Sequence, residues 1–279
     1  MVKEFAFMPE LPEVETTRRG IAPYLEGIRV SRVIARTGNL RLPVPRELLE
    51  ELPGRKILKV DRRGKYILLR TTSGTVILHL GMSGHLRIVP AITPPGKHDH
   101  LDFILETSLA LRFTDPRRFG LALWTDEEPY NHPLLMGIGP EPLLNGFDGN
   151  YLFHKSRKRT LAIKQFIMDS HIVAGVGNIY ANEALFRAGI HPLRSVGAIS
   201  RERYTRLAQS LRDVLCEAIE LGGTTLRDFH DSEGKPGYFA LNLDVYGRGG
   251  EPCHKCGVTI QATRQGGRAT YFCKACQRR

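Results

Sequence analysis

Four of the five cysteines in this 279-residue chain have the spacing of metal ligands. They form two C-x-x-C pairs separated by sixteen residues, namely Cys253 with Cys256 and Cys273 with Cys276. Thiolates in two such pairs bind one tetrahedral Zn²⁺ in structural sites, and five cysteines are too few for a disulfide framework. Between the pairs, alternation over residues 258–262, a Gly266-Gly267 turn and a return over 269–272 predict a hairpin. The sequence therefore predicts one structural zinc ion on a C-terminal hairpin.

A second group of residues is suited to phosphate binding. The segment GVGNIYANEALFRAG, residues 175–189, predicts a glycine-rich turn that opens a helix, where backbone N–H groups and the helix dipole favour an anion. Basic clusters lie on both sides of it, at residues 151–168 and 245–279. The first cluster contains no acid and five basic side chains, which are Lys155, Arg157, Lys158, Arg159 and Lys164. Two such clusters beside a helix favour a phosphate track over an ordinary solvated face.

The whole chain is basic, because 40 Lys and Arg against 29 Asp and Glu leave a formal net charge of +11. An excess of this size indicates a polyanionic partner, although ribosome-associated and membrane-surface proteins share it. No apolar run reaches the roughly 18 residues of a membrane helix. The first residues, MVKEFAF, are too short a stretch for a signal peptide. We therefore expect a cytoplasmic protein that does not engage a membrane.

Three shorter motifs allow more than one interpretation. Gly81-Met82-Ser83-Gly84 lacks the G-x-S-x-G spacing of a serine nucleophile, so that chemistry is rejected. Lys97-His98-Asp99-His100 suits either a metal pair or a loop histidine on phosphate, and no third ligand is evident. The turn DPRRFG at residues 115–120 is either solvated or, in a basic protein, able to enter a duplex and occupy the space of an extruded base.

The elements that must position these groups change type along the chain. After a first helix predicted at residues 13–25, residues 29–125 contain short strand-like runs punctuated by Gly and Pro, as in an antiparallel sandwich or barrel. From about residue 132 the periodicity is helical, and the clearest helix is predicted from Ser200 to Leu221. Cys216, in this apolar stretch, is predicted to be a small core residue. We therefore expect an α+β protein of two lobes, one mainly β and one mainly helical, with the zinc hairpin attached to the second.

One segment, MPELPEVET at residues 8–16, has no explanation in composition beyond a helix start with proline in its first turn. It closely resembles the amino terminus of the bacterial formamidopyrimidine-DNA glycosylases, the Fpg/MutM family of base-excision enzymes for oxidised purines. The resemblance continues in the family's order through RGKY, HLGMSG, KHDH, TDPRRFG, GVGNIYA, GGTTLRDF and the four-cysteine ribbon. It implies a catalytic β-sandwich domain flanked by helices over residues 8–130, a helix–two-turn–helix domain over 131–244 and a zinc-finger hairpin over 245–279.

The resemblance implies a bifunctional DNA glycosylase and abasic-site lyase that acts as a monomer on damaged duplex DNA. Such an enzyme removes 8-oxoguanine and formamidopyrimidines and cleaves the strand by β,δ-elimination. Pro9 matches the nucleophile whose secondary amine forms a Schiff base at C1′, since a terminal amine is far less protonated at neutral pH than lysine. Glu10 matches the acid that exchanges protons with sugar oxygens. Lys65 matches the lysine near the abasic sugar, and Arg268 matches the hairpin arginine that holds phosphates and assists the second elimination.

Other matching positions are implied as contacts to the DNA backbone or grooves. They are His98, Arg117, Arg159 and Asn178. The loop at residues 222–238 matches the lesion-covering loop of the family, and its glycines suit a lid.

Three side chains, Arg117 again among them, match those that fill the gap left by the flipped base and address the orphaned cytosine. They are Met82, Arg117 and Phe119. Flipping exposes C1′ at a cost on the order of a few kcal/mol, which such wedges and phosphate contacts offset.

Seven residues, Met1–Phe7, precede the methionine that begins the family pattern. A proline inside the chain is a tertiary amide without a basic lone pair, so we expect translation to begin at Met8 and the methionine to be removed. A retained extension predicts a protein that binds DNA without activity. Two different functions stay open: an endonuclease VIII-type glycosylase for oxidised pyrimidines and a non-catalytic zinc-ribbon DNA-binding protein. The complete PELPEVE, DPRRFG and GGTTLRDF segments favour the purine enzyme.

Overall fold

The computed structural model describes residues 8–223 and 243–278, and these residues fall into two compact units. The first unit comprises residues 8–136 with 221–223, and the second comprises residues 137–220 with 243–278. Most of the predicted lesion-covering loop therefore lies outside the described residues. None of the helices in the described ranges combines the length and the hydropathy of a membrane span.

The first unit is built on two four-stranded antiparallel sheets. One sheet has the strand order β1 (Val30–Ala35), β6 (Asp99–Leu105), β7 (Leu109–Thr114) and β5 (His85–Pro90). The other has the order β2 (Ile57–Arg63), β3 (Tyr66–Thr71), β4 (Thr75–His79) and β8 (Leu121–Thr125). The flanking helices are α1 (Leu11–Leu25) and α2 (Arg46–Glu51). Buried apolar residues from both sheets and from α1 form one core, which confirms the predicted sandwich.

Local sequence explains how the first elements begin and turn. The Glu10 N–H donates to Glu13 Oε2 at 3.0 Å, so α1 starts with a capping arrangement just after Pro9. In the second sheet, the pairing of β2 with β3 begins at Arg63 and Tyr66, which leaves a two-residue turn. Gly64 in that turn has φ +56°, a left-handed conformation that glycine adopts without strain.

The second unit is helical with a small hairpin. Its helices are α3 (Gly149–Ser156), α4 (Ile163–Met168), α5 (Asn178–Arg187) and α6 (Arg201–Glu220), and its strands are β9 (Gln261–Gln265) and β10 (Arg268–Phe272). α6 packs against α3 and α5, and α5 also packs against β10. Residues 188–200 join α5 to α6 and contain a 3-10 turn at Val196–Ala198. The predicted helix over residues 200–221 is thus confirmed to within one residue at each end.

The prediction that Cys216 is a core residue is wrong, because its side chain is exposed. The buried face of α6 runs through residues such as Leu207, Leu211 and Leu215. Cys216 lies about 100° around the helix from Leu215 and therefore turns away from that face. Its apolar neighbours in the sequence did not specify the side of the helix on which it falls.

Candidate functional site

Pro9 and Glu10 lie at the start of α1, and both residues are buried. Glu10 is only 4% exposed, and Glu13, which accepts its N–H, is 1% exposed. The positive end of the helix dipole favours acidic groups at this end of α1. Gly223 approaches the same place, since a Cβ built on it would lie 3.1 Å from Glu13 Oε1. Pro9 and the buried carboxyl groups of Glu10 and Glu13 thus lie at the helix start, close to Gly223.

Lys65 occupies the second position of the turn between β2 and β3, and this turn is tied to α1. Arg62 Nε donates to Glu15 Oε2 at 3.0 Å, and Arg62 Nη1 donates to Gly64 O at 2.8 Å. Burial opposes ionisation of Glu15, but hydrogen bonds from Arg18 and Arg19 and the charge of Arg62 outweigh it and lower its pKa to about 2. The Glu15–Arg62 pair therefore joins the helix that begins just after Pro9 and Glu10 to the turn that carries Lys65.

His79 lies beside this turn and was not singled out by sequence reasoning, although it belongs to the HLGMSG motif. Burial, together with the nearby charges of Lys65 and Arg41, lowers the pKa of His79 to about 3, so the ring is neutral at physiological pH. Its Nδ1 accepts the Gly81 N–H at 2.9 Å, which places the ring proton on Nε2. The Tyr66 ring packs against it with centroids 4.8 Å apart. A neutral imidazole with a fixed tautomer therefore lies close to the lysine.

The three predicted gap-filling side chains lie on two adjoining loops. Met82 is half-buried, whereas Arg117 and Phe119 are exposed. The Arg117 guanidinium carbon lies 4.9 Å from the centre of the Phe119 ring, within cation–π distance. The loops touch through their backbones, because Gly120 N leaves no room for a Cβ on Gly81. The structure thus brings the two motifs together, which their separation in the sequence does not show.

His98 lies half-buried at the end of a loop that a buried ion network secures. Arg112, 2% exposed, donates to both oxygens of Asp102 at 2.8 and 2.9 Å and to Thr93 O and Pro94 O. In the part of the chain that the structure describes, the four clustered cysteines form the only group of three or more potential metal ligands. The interpretation of KHDH as a metal site thus gains no further ligand there.

Asn178 is the first residue of α5, and this helix is hydrogen-bonded to the chain that precedes the zinc hairpin and to strand β10 of the hairpin. Its Nδ2 donates to the Tyr246 hydroxyl at 3.5 Å. Glu183, fully buried, accepts the backbone N–H groups of residues 244, 245 and 246 at 2.8 to 3.0 Å. Asn182 Oδ1 accepts the Tyr271 N–H at 2.8 Å. The helix that carries the proposed phosphate contact thus also fixes the position of β10.

The predicted phosphate track at residues 151–168 is only partly exposed. Lys155, Lys158 and Arg159 face solvent, and Arg159 also lies over the Phe166 ring at 5.9 Å. Arg157 instead donates to the carbonyl oxygens of Val196 and two neighbouring residues. Including Arg157 in the track was therefore wrong, because its donors are used to hold the turn between α5 and α6.

Lys164 was also wrongly assigned to this track, since it is 1% exposed. Its Nζ donates to Ala269 O and to Thr270 Oγ1, both at 2.7 Å. These acceptors directly follow Arg268, which is exposed at the start of β10. Arg268 and Lys164 line a cavity of about 200 Å³ together with residues 165, 168 and 169. The buried lysine therefore fixes the strand that presents the exposed arginine.

The four cysteines fit a single zinc ion. All four Sγ atoms lie within 4.8 Å of one another. Cys253 and Cys276 have Sγ atoms 4.0 Å apart, and Cys256 and Cys273 have Sγ atoms 3.5 Å apart. A tetrahedron with Zn–S bonds of about 2.3 Å has S–S edges of about 3.8 Å, which lies between these two distances. Four thiolates leave the metal no open position for water, so the site is structural.

The hairpin differs from its predicted form at one end. β9 begins at Gln261, whereas the alternation predicted an arm that starts near Val258. The Cys253 N–H donates to Val258 O at 3.0 Å, and the Gly257 N–H donates to Cys253 O at 2.8 Å. Val258 is therefore part of the tight turn around the first C-x-x-C pair, where backbone hydrogen bonds place the sulfurs.

Two packed antiparallel sheets, a helix–two-turn–helix pair and a four-thiolate hairpin define a protein of the helix–two-turn–helix, zinc-finger class. Three family models match the chain in order: the formamidopyrimidine-DNA glycosylase N-terminal domain at residues 8–122, its H2TH domain at 138–230, and the zinc finger found in FPG and IleRS at 250–279. The chain belongs to the formamidopyrimidine-DNA glycosylase family.

Individual relatives agree with this assignment over almost the whole chain. The formamidopyrimidine-DNA glycosylase of Geotalea uraniireducens is 60% identical, with 97% of this chain and 100% of the relative covered. That of Pseudomonas savastanoi is 58% identical at the same coverage. Among solved structures, the MutM (Fpg) protein of Thermus thermophilus has a TM-score of 0.87 at 40% identity, covering 96% of this chain and 98% of that one. The Lactococcus lactis Fpg complex with abasic-site DNA has a TM-score of 0.88 at 34% identity, covering 97% and 100%.

Proposed function

We propose that this protein is a base-excision DNA glycosylase and abasic-site lyase that removes 8-oxoguanine and formamidopyrimidines from duplex DNA. The observation that carries the proposal is the arrangement at α1. Pro9 and Glu10 are buried together at its start, and the Glu15–Arg62 pair joins the helix to the Lys65 turn. Membership of the family supports the same activity, and the solved Lactococcus lactis relatives include complexes with Fapy-dG-containing and abasic-site DNA.

In the proposed reaction the free amine of Pro9 attacks C1′ of the damaged nucleotide. The bond from C1′ to the base breaks, the base leaves with a proton, and the sugar ring opens to an iminium ion on the Pro9 nitrogen. Glu10, at the same helix end, donates and accepts the protons of the sugar oxygens. Loss of a C2′ proton then expels the 3′ phosphate, and a second elimination expels the 5′ phosphate. Lys65 and Arg268 stabilise the phosphate charges in these steps.

DNA is held through separate groups on the two units in this proposal. His98 and Arg117 from the first unit, and Arg159 and Asn178 from the second, contact phosphates or grooves. Met82, Arg117 and Phe119 fill the space of the extruded base. Zinc keeps the hairpin that presents Arg268 folded. We further propose that the protein acts as a monomer in the cytoplasm, on the nucleoid when bound to DNA, with domain boundaries near residues 130 and 244.

The experiment that tests this proposal compares protein with a free Pro9 amine and protein in which Pro9 lies inside the chain. Protein that begins at Pro9 should be covalently trapped on an 8-oxoguanine duplex when borohydride reduces the Schiff base. Protein that retains Met1–Phe7 should bind the duplex without forming this adduct, because an amide nitrogen cannot form an iminium ion. Lys65 is the obvious substitute nucleophile, but only about one in a thousand unperturbed lysines is deprotonated at neutral pH. Equal trapping of both forms, with the cross-link away from Pro9, would contradict the proline mechanism.

The same assay separates the competing functions. Excision of an oxidised pyrimidine at a higher rate than 8-oxoguanine would favour an endonuclease VIII-type enzyme. Binding without incision of either duplex, by protein with a free Pro9 amine, would favour a non-catalytic zinc-ribbon protein.

A further inference from the structure

Asp115 is a buried carboxyl group for which the proposed chemistry has no use. It is 0% exposed, although the four residues that follow it are exposed. Its Oδ1 accepts the Ser83 hydroxyl at 2.8 Å, and its Oδ2 accepts the Gly120 N–H at 2.7 Å. Burial of a carboxyl group costs free energy unless hydrogen bonds replace its lost hydration. A turn that is merely solvated requires no buried carboxyl group.

The carboxyl group joins the two loops that carry the proposed gap-filling side chains. Ser83, which donates to it, directly follows Met82, and the Ser83 hydroxyl oxygen also accepts the Arg117 N–H at 3.2 Å. The hydrogen bond from the Gly120 N–H to Asp115 Oδ2 fixes the backbone of the residue that follows Phe119. The hydrogen bonds that the Asp115 carboxyl group accepts, directly from the Gly120 N–H and through Ser83 from the Arg117 N–H, therefore fix the backbone on both sides of the Arg117–Phe119 pair.

The backbone of Asp115 reaches a third segment. Its N–H donates to His98 O at 2.9 Å, and its carbonyl oxygen accepts His100 Nε2 at 2.9 Å. His98 is a proposed phosphate contact, and His100 is 3% exposed. Three segments that are distant in sequence and are each assigned to DNA thus meet at this single residue.

We propose that Asp115 is a positioning residue that determines how strictly the enzyme requires cytosine opposite the lesion. The inference rests on the proposed function, in which Arg117 addresses the orphaned base. Cytosine offers two adjacent acceptors, O2 and N3, to a guanidinium fork, whereas adenine offers a single acceptor beside an amino donor. Discrimination between cytosine and adenine therefore depends on the position of the Arg117 guanidinium group relative to the orphaned base. Asp115 and Ser83 fix the Arg117 backbone from which the fork extends.

The test measures the ratio of 8-oxoguanine excision rates opposite cytosine and opposite adenine, at saturating enzyme in single turnovers. Asp115→Asn should lower this ratio by about tenfold, towards the value of Arg117→Ala, and Ser83→Ala should lower it less. In an Arg117→Ala background, Asp115→Asn should change the ratio by less than about twofold. Asp61→Asn is the matched control, because the Asp61 carboxyl group lies in the same unit and its ion-pair partners, Lys59 and Arg70, belong to β2 and β3 and not to these loops. It should lower thermal stability and keep the wild-type ratio.

A folded Asp115→Asn protein with the wild-type ratio would overturn the positioning role, as would a ratio that falls equally in the Asp61→Asn control. If Asp115→Asn does not fold, Ser83→Ala decides, since it removes only the bridge between the loops. Wild-type protein that excises no base from either duplex would instead overturn the proposed function, and the positioning role with it. The excision rate of the wild-type protein alone therefore distinguishes a failure of the positioning role from a failure of the proposed function.

Discussion

The two units hold their proposed DNA-facing residues by different physical means. In the first unit, α1 and the Lys65 turn lie on a continuous apolar core and are joined by the buried Glu15–Arg62 pair. In the second, the hairpin that carries Arg268 has few large buried apolar side chains, and it depends on four thiolates and on the Lys164 ammonium. So short a segment cannot bury enough apolar surface to fold alone, and metal coordination supplies the missing free energy. Chemistry and DNA affinity should therefore be separable by substitution.

The largest expected effect is on chemistry and belongs to the first unit. Glu10→Gln should lower base release by at least about a hundredfold, because the amide cannot exchange protons with the sugar. Affinity for lesion DNA should change by less than about threefold, since the substitution leaves the zinc hairpin and its Arg268 unchanged. Single-turnover excision and fluorescence anisotropy measure the two quantities. Near-normal excision by the variant would remove Glu10 from the mechanism.

The next effect belongs to the hairpin and tests the metal. Cys256→Ala should abolish stoichiometric zinc binding and weaken DNA affinity by about 10- to 100-fold, the value of one or two charge-assisted phosphate contacts. The first unit should keep its own thermal transition, because the four clustered cysteines all lie in the second unit. Cys216→Ala is the matched control, since Cys216 is exposed and lies outside the cluster. Full DNA affinity in metal-free protein would show that the hairpin does not depend on zinc.

A smaller effect should appear as acid sensitivity of the first unit. The native pKa of Glu15, about 2, lies below its ordinary value of 4.5, so the unfolded chain binds more protons between these pH values. The stabilisation is thus fully present above pH 4.5 and is lost as the pH falls towards 2. Allowing for solvent screening, it amounts to no more than about 2 kcal/mol.

Urea unfolding at pH 6 and pH 3 measures this contribution. Glu15→Gln should destabilise the protein at pH 6 and narrow the difference between the two pH values. Glu50→Gln, at an exposed position of α2, is the control and should leave both values unchanged. An unchanged pH dependence in Glu15→Gln would mean that other carboxyl groups cause the acid sensitivity.

The smallest expected effect concerns one exposed cation. Arg159→Ala should weaken binding to damaged and undamaged duplexes alike, by roughly tenfold or less. It should reduce the slope of log K against log salt concentration by about 1, because one phosphate contact is lost. Arg46→Ala, an equally exposed arginine of α2, should leave the slope unchanged. A loss of affinity confined to damaged DNA would contradict a phosphate role for Arg159.

Local patterns in the sequence were sufficient where the constraint is itself local. The C-x-x-C spacing predicted the zinc cluster, and apolar periodicity predicted α6 and the strands of the sandwich, because each depends on residues a few positions apart. The same patterns misassigned Cys216, Arg157 and Lys164. A basic or apolar stretch shows which residue types are present. It does not show on which side of a helix each side chain lies, or which backbone oxygens accept its hydrogen bonds.

The family, the metal site and the motifs that carry the proposed chemistry can thus all be identified from the amino-acid sequence. The tertiary structure alone placed the Arg62 side chain between Glu15 and Gly64, and the Asp115 carboxyl group between Ser83 and Gly120. These contacts link residues up to 47 positions apart. No local propensity encodes such pairings, because they form only when two sheets and a helix close around one core and bring polar groups into a space from which water is excluded.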